Sequence, residues 1–166
     1  KIFSKIEPFD FEYDKIKEYA VKGAEIIKQI PDLRIIEIET SHGCPRKKGC
    51  SFCTEPIKHS FELRNKEDII KEVEAFYNLG CRYFRIGKQS CFYSYPYALE
   101  LLKEIREKFP KIEVLHIDNV NPVMVLSKKG EEITKAIAKY CTAGNVAAFG
   151  VESFDPVVYE ENCLLS

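Results

Sequence analysis

The stretch RIIEIETSHGCPRKKGCSFC, residues 34–53, joins a β-branched run to a loop that carries Cys44, Cys50 and Cys53. The run from Arg34 to Glu39 is short and rich in isoleucine, which is typical of a buried β-strand. Three similar runs follow along the chain: Arg82 to Ile86 (RYFRI), Glu113 to Ile117 (EVLHI) and Val146 to Val151 (VAAFGV). The opening stretch therefore predicts a strand whose carboxyl end leads directly into a cysteine loop.

Helical periodicity separates the predicted strands. One helix is expected between Asn65, a capping residue, and Gly80, and the next is expected to end at Pro110. A further amphipathic helix, Tyr13 to Ile30, precedes the first strand. The strand starts at 82, 113 and 146 lie 31 and 33 residues apart, which is enough for a strand, a helix and a return. The sequence predicts an α/β fold of about four parallel βα units with an N-terminal helix.

Composition narrows the class of protein. Lys and Arg number 25 against 26 Asp and Glu in 166 residues, so no global charge recruits nucleic acid or an anionic membrane. Local basic patches leave a nucleic-acid partner possible, although nothing in the sequence supports one. No apolar run approaches the roughly 18 residues of a membrane span. Seven cysteines, three of them in one loop, favour metal or redox chemistry over a disulfide framework. We expect a cytoplasmic protein that does not bind membranes.

The cysteine loop has the chemistry of a soft-metal site. Thiolates select iron–sulfur clusters, zinc or copper, and three of them can hold three corners of one centre. A catalytic centre keeps one position open, whereas a structural zinc site is closed by four protein ligands. His42 and His59 flank the loop and could supply a fourth ligand. A zinc-stabilised α/β binding module without catalysis therefore stays open as an alternative.

The loop resembles the cluster loop of the radical S-adenosylmethionine (SAM) superfamily. The usual family pattern is CxxxCxxC, and here the spacing is Cys44-x5-Cys50-x2-Cys53, with the aromatic Phe52 before the last cysteine. The resemblance implies a [4Fe-4S] cluster held by these three thiolates, with SAM bound to the fourth iron. It also implies reductive cleavage of SAM to a 5′-deoxyadenosyl radical that abstracts hydrogen from an unidentified substrate.

Two further segments resemble SAM-binding segments of the superfamily. The run FRIGKQS, residues 84–90, resembles the family's Gly-Gly-Glu turn at Gly87, with Lys88 and Gln89 in place of the second Gly and the Glu. The run GVES, residues 150–153, resembles a family segment that contacts SAM. The resemblance thus assigns cofactor contacts to Gly87, Gln89, Glu152 and Ser153.

The resemblance also implies an architecture and a partner. The fold would be the first part of a TIM-like barrel, with residues 1–32 as an N-terminal helical extension and residues 33–166 as an incomplete core domain. The missing strands would follow residue 166. A one-electron donor such as flavodoxin or ferredoxin would supply the reducing electron.

Overall fold

The fold was analysed in a computed structural model that describes residues 12–30, 32–33 and 35–164. The strands are β1 (Ile36–Ile38), β2 (Ser41–His42), β3 (Glu62–Leu63), β4 (Tyr83–Ile86), β5 (Val114–Ile117), β6 (Asn119–Val120) and β7 (Ala148–Phe149). The α-helices are α1 (Tyr13–Gly23), α2 (Glu55–Lys58), α3 (Lys66–Asn78), α4 (Ala98–Lys108), α5 (Pro122–Val125), α6 (Lys128–Tyr140) and α7 (Pro156–Glu161). Arg34, the predicted start of the first strand, lies outside the described residues.

Three of the predicted strands form one parallel sheet. Its order is β1-β4-β5, and the register pairs Ile36 with Phe84 and Phe84 with Leu115. Consecutive strands are therefore neighbours, as expected for βα repeats joined by crossover helices. The α/β prediction is confirmed in its class and strand direction. The three-stranded sheet is open among the residues that the structure describes.

The two faces of this sheet differ in chemistry. Alternate side chains of the three strands, including Ile38, Phe84 and Leu115, are fully buried in the same core as the apolar faces of α3, α4 and α6. On the opposite face Arg85 lies between two carboxylates, with Nε 3.7 Å from Glu37 and Nη1 3.6 Å from Asp118. Because side chains alternate along a strand, the helices cover one face and leave a charged second face.

The fourth predicted strand is shorter than expected and joins a different sheet. Only Ala148–Phe149 is extended, and it pairs in parallel with β6, beyond the end of β5. The edge of β5 is occupied instead by side chains: Leu115 N donates to Thr142 Oγ1 at 3.2 Å and Ile117 N donates to Asn145 Oδ1 at 2.6 Å. Because these groups satisfy the β5 amides, residues 146–151 do not extend the main sheet.

The helices begin and end close to the predicted positions. Asn65 caps α3, since its side chain accepts a hydrogen bond from Glu67 N at 2.9 Å. Gly80 follows α3 with φ 97°. The N-terminal helix departs from the prediction, because the α-helix stops at Gly23 and continues as a 3₁₀-helix, Ala24–Gln29. Every described helix is too short or too polar to span a bilayer.

Candidate functional site

A short hairpin stem closes the cysteine loop. Strands β2 and β3 pair antiparallel, with Ser41 opposite Leu63 and His42 opposite Glu62. Gly43 leaves this stem at φ 70°, and a Cβ at that position would lie 2.8 Å from the carbonyl oxygens of His59 and Ser60. Only glycine fits such a close approach of backbone to backbone at this φ. The geometry of the stem therefore requires glycine at position 43, directly before Cys44.

The three loop cysteines line one cavity of about 480 Å³. This volume is within the range of small-molecule sites in proteins. Glu152 and the buried Cys91 contribute to the same walls, as do the polar side chains of Ser90 and Asn119. Ser90 and Asn119 follow the carboxyl ends of the parallel strands β4 and β5. The cavity therefore opens at the end of the sheet where parallel α/β folds hold their ligands.

Arg46 connects the loop to the last described residues. Its Nη1 donates to Cys50 Sγ at 2.9 Å, and its Nη2 donates to the carbonyl oxygen of Cys163. Ser51 makes a second link, because its amide donates to Asn162 O at 3.1 Å. A cation thus lies beside one of the candidate ligand sulfurs. The end of α7 holds the loop against the rest of the domain.

The donor set fits a thiolate-bound cluster. Cys44, Cys50 and Cys53 are free and half-buried, and all three face the same cavity from one loop without helix or strand between Cys44 and Cys50. Within the described ranges, no group of three or more His, Cys, Asp or Glu side chains is already arranged around a common metal position. The sulfurs would therefore have to draw together when a cluster binds, which a loop of bends allows more readily than a helix or strand.

Of the two residues predicted to contact SAM after the fourth strand, Glu152 and Ser153, only one lines the cavity. Glu152 lines the cavity and has φ 60°, a left-handed conformation that costs a non-glycine residue free energy and is common at functional sites. Ser153 is not part of the cavity wall; its Oγ accepts a hydrogen bond from Asp155 N at 3.1 Å. The structure thus brings Glu152, but not Ser153, to the cysteines.

Gly87 and Gln89 lie beside the cavity without lining it. Gln89 is fully buried and bridges two strands: its Oε1 accepts from Thr40 N at 3.3 Å and its Nε2 donates to Ile86 O at 3.0 Å. The amide of Gly87 donates to Ile38 O at 3.0 Å. Both residues join the ends of β1 and β4. Their predicted contacts with SAM stay predictions.

Neither histidine that flanks the loop lines the cavity. His42 is buried in the hairpin stem, where its Nε2 lies 3.3 Å from Glu62 Oε2. Its ring centroid is 4.6 Å from that of Tyr13 and 5.1 Å from that of His59. The residues that could have closed a Cys₃His zinc site therefore contact each other instead of the cavity.

Asn121 and Leu164 are among the cavity residues that were not identified from the sequence. Asn121 donates its amide to Cys91 Sγ at 3.2 Å, and its side chain caps α5 by accepting from Val123 N at 2.9 Å. The Asn-Pro pair after a strand signals such a cap. Leu164 is buried in the cavity wall, and no sequence pattern marks it. It reaches the wall only because α7 folds back on the cysteine loop.

Comparisons with known proteins place this site in context. No protein-family model matches the chain. It is 44% identical to an uncharacterised protein of Methanocaldococcus jannaschii, over 97% of this chain and 34% of that protein. An uncharacterised protein of Archaeoglobus fulgidus is 40% identical over 96% of this chain and 35% of its own length. A second M. jannaschii protein, provisionally named a methylthiotransferase, is 31% identical over 83% of this chain and 28% of its own length. The chain spans about a third of the length of the curated relatives it matches.

Solved structures share the fold. Two structures of TsrM, a radical SAM methyltransferase from Kitasatospora setae, superpose with a TM-score of 0.55 at 22% identity, over 75% of this chain and 23% and 24% of theirs. One of them contains tryptophan and a SAM analogue, and the other contains cobalamin and a [4Fe-4S] cluster. The chain therefore has an α/β fold similar to that of a radical SAM enzyme.

Proposed function

We propose that this chain is the cluster-binding part of a radical SAM enzyme. Cys44, Cys50 and Cys53 hold a [4Fe-4S] cluster in this proposal, and SAM binds its fourth iron. The observation that supports it is the convergence of the three thiols and Glu152 on one cavity at the carboxyl ends of parallel strands. The similarity of the fold to a radical SAM methyltransferase agrees with the proposal.

The chain's own residues bind the group, orient it and exclude water. When bound, cluster and SAM together supply one-electron cleavage of SAM to methionine and a 5′-deoxyadenosyl radical, which abstracts hydrogen from the substrate. Arg46 places positive charge beside Cys50, which offsets the negative charge of thiolate ligands. Leu164 closes part of the wall with an apolar side chain. The carboxylate of Glu152 is available to a polar group of SAM.

The finer assignments are part of the same proposal. Gly87 and Gln89 shape the turn after β4 beside the cofactor, and Ser153 supports Glu152 at the end of the fourth segment. Residues 1–32 form the N-terminal extension of a core domain that begins at residue 33. We further propose that the protein works in the cytoplasm, where a flavodoxin or ferredoxin provides the electron.

Anaerobic reconstitution of the chain with ferrous iron and sulfide tests the proposal. The wild-type protein should turn brown and retain about four iron ions per chain. The C50A variant should lose the colour and most of the iron. The matched control is C141A, because Cys141 does not line the cavity. A protein that stays colourless, or that binds only zinc, would contradict the cluster and favour the non-catalytic binding module.

A further inference from the structure

We propose that the exposed side of the cysteine loop docks an acidic one-electron carrier protein, an inference that rests on the proposed function. This side, named here the loop face, consists of Lys47, Lys48, Phe52, Ile57 and Lys58. The proposal assigns a surface and a kind of partner to the same site. Its evidence is the charge, exposure and continuity of these five residues.

The three successive basic residues of the cysteine loop, Arg46, Lys47 and Lys48, do not all face solvent in the same way. Arg46 points inward to Cys50 Sγ and the carbonyl of Cys163. Lys47 and Lys48 are exposed and form no ion pair within the part of the chain that the structure describes. The chain as a whole has a net charge of −1. Lys58 is paired with Glu55 at 3.6 Å, so the positive charge of the loop face comes from Lys47 and Lys48, and it complements an acidic partner.

Two large apolar side chains close to these lysines in the sequence are also exposed. Phe52 is 59% exposed and Ile57 is 83% exposed. Aromatic and aliphatic side chains at the centre of an interface, with charged residues around them, are typical of protein–protein contacts. The combination favours a folded protein partner over free counter-ions.

Close packing across the loop joins its basic and apolar parts. A Cβ at Gly49 would lie 2.4 Å from Pro56 Cγ, so the segment after Lys48 is in contact with the start of α2. Helix α2 carries Ile57 and Lys58. The loop face is thus one continuous surface, since the two halves of the loop are held together at Gly49 and Pro56.

The loop face and the cavity are two sides of the same short segment. Phe52, Cys50 and Cys53 all line the cavity, and the side chain of Phe52 is more than half exposed. A carrier bound to the loop face would contact the same segment of chain that carries Cys50 and Cys53. In the proposed step one electron leaves the reduced carrier, which is oxidised by one electron, and enters the cluster held by the three cysteines.

Binding of oxidised flavodoxin, an acidic carrier, is the first test. We expect binding by calorimetry that weakens as salt is added, and a loss of about tenfold or more in the K47E/K48E variant. The control is K103E/K139E, which reverses two exposed lysines on α4 and α6 and should bind like the wild type. Glu161 precedes Asn162, which contacts Ser51 of the loop, so E161K should bind flavodoxin more tightly.

The second test separates failure of the docking surface from failure of the proposed function. The reconstituted protein is reduced either with dithionite or with photoreduced flavodoxin, and loss of visible absorption is followed in stopped flow. In K47E/K48E, flavodoxin should reduce the cluster at least about tenfold more slowly, and in I57S more slowly than in the wild type, while dithionite reduces both variants at the wild-type rate. If no variant changes flavodoxin binding or reduction, the loop face is not the docking site.

Other outcomes overturn the docking proposal in distinct ways. If the wild-type protein forms no cluster that dithionite can reduce, the proposed function itself fails. If single-stranded RNA binds the loop face and K47E/K48E abolishes that binding while flavodoxin does not bind, the partner is a nucleic acid. Carbodiimide cross-linking gives a readout independent of activity, because flavodoxin carboxylates should couple to Lys47 and Lys48 and not to Lys103.

Discussion

The guanidinium of Arg46 lies 2.9 Å from the sulfur of Cys50, measured between Nη1 and Sγ. The same side chain donates through Nη2 to the carbonyl of Cys163. One residue thus connects a candidate metal ligand, in a loop without regular structure, to the end of the described chain. The orientation of the cysteine loop depends on contacts with a segment more than a hundred residues away in sequence.

Replacing Arg46 with alanine should therefore destabilise the protein. The change removes a charge-assisted hydrogen bond to a backbone carbonyl, and we expect a loss of about 1–3 kcal/mol in the free energy of unfolding. Urea denaturation of the metal-free protein measures it. The control is K47A, at an exposed position, which should change stability by no more than about 0.5 kcal/mol. Equal effects of the two substitutions would contradict the assigned contacts.

Gly43→Ala should disrupt the hairpin stem at the start of the cysteine loop. The new Cβ would lie 2.8 Å from two backbone carbonyl oxygens at φ 70°, and neither can move aside as a flexible side chain would. We expect a loss of more than about 2 kcal/mol in unfolding free energy, since the clash adds to the cost of the left-handed conformation.

The matched control for this substitution is Gly23→Ala. A Cβ at Gly23, the last residue of α1, meets nothing within 4 Å. This variant should be neutral or slightly stabilising, because alanine is favoured over glycine in helices. Thermal unfolding of G43A, G23A and the wild type measures the difference, and only G43A should have a clearly lower Tm. A harmless G43A variant would show that the stem is wider than described.

Lys88→Gly should stabilise the turn after β4. Lys88 has φ 70° and is exposed. Glycine removes a left-handed strain of about 1–2 kcal/mol but adds about 0.5–1 kcal/mol of chain entropy to the unfolded state. We expect a net gain of about 0.5–1 kcal/mol, measured by urea denaturation. A destabilised K88G variant would mean that the lysine side chain makes a contribution of its own.

Gln89→Ala tests whether this residue is structural or only a cofactor contact. The substitution leaves Thr40 N and Ile86 O without the partners that the buried amide provides, so we expect about 1–3 kcal/mol of destabilisation in the absence of any cofactor. Unfolding of the metal-free protein measures this. Unchanged stability together with weaker SAM binding would instead support the role that the family resemblance implies.

Stability should fall at alkaline pH because of Cys141. Burial raises the pKa of the Cys141 thiol from its ordinary value near 9.0 to about 12, although Arg106 acts in the opposite direction. Above about pH 9 the unfolded thiol loses its proton while the folded one keeps it, so the unfolded state binds fewer protons and stability decreases as pH rises. Below about pH 9 the Cys141 thiol is protonated in both the folded and the unfolded state, so its contribution to stability does not change with pH there.

The C141A variant isolates this effect. Between about pH 7 and about pH 10, the wild-type protein should lose about 1 kcal/mol more stability than C141A. The other cysteines and the tyrosines titrate in both proteins, so their contributions to the pH dependence of stability cancel in this comparison. Denaturation in urea at both pH values provides the measurement. Parallel pH profiles would mean that Cys141 is accessible to solvent in the folded protein.

Local sequence signals predicted most of the main sheet and its helices. Strands β4 and β5 fall within their predicted runs, and α3 begins at its predicted cap, Asn65. These elements were predictable because apolar periodicity and capping act between residues that are close in sequence. The fourth predicted run does contain a strand, β7, but its place outside the main sheet was not predictable, because Thr142 and Asn145 occupy the edge of β5. Competition for one set of backbone amides is a tertiary effect.

The candidate site divides in the same way. The sequence by itself determined the type of chemistry through the three thiols, because soft ligands at short spacing indicate a metal or cluster site. Only the tertiary structure decided which distant groups meet them: Glu152 and Leu164 reach the cavity, whereas Gln89 joins two strands and His42 lies in the stem. The physical reason is that a motif is fixed by local backbone geometry, while the walls of a cavity depend on how separate elements pack.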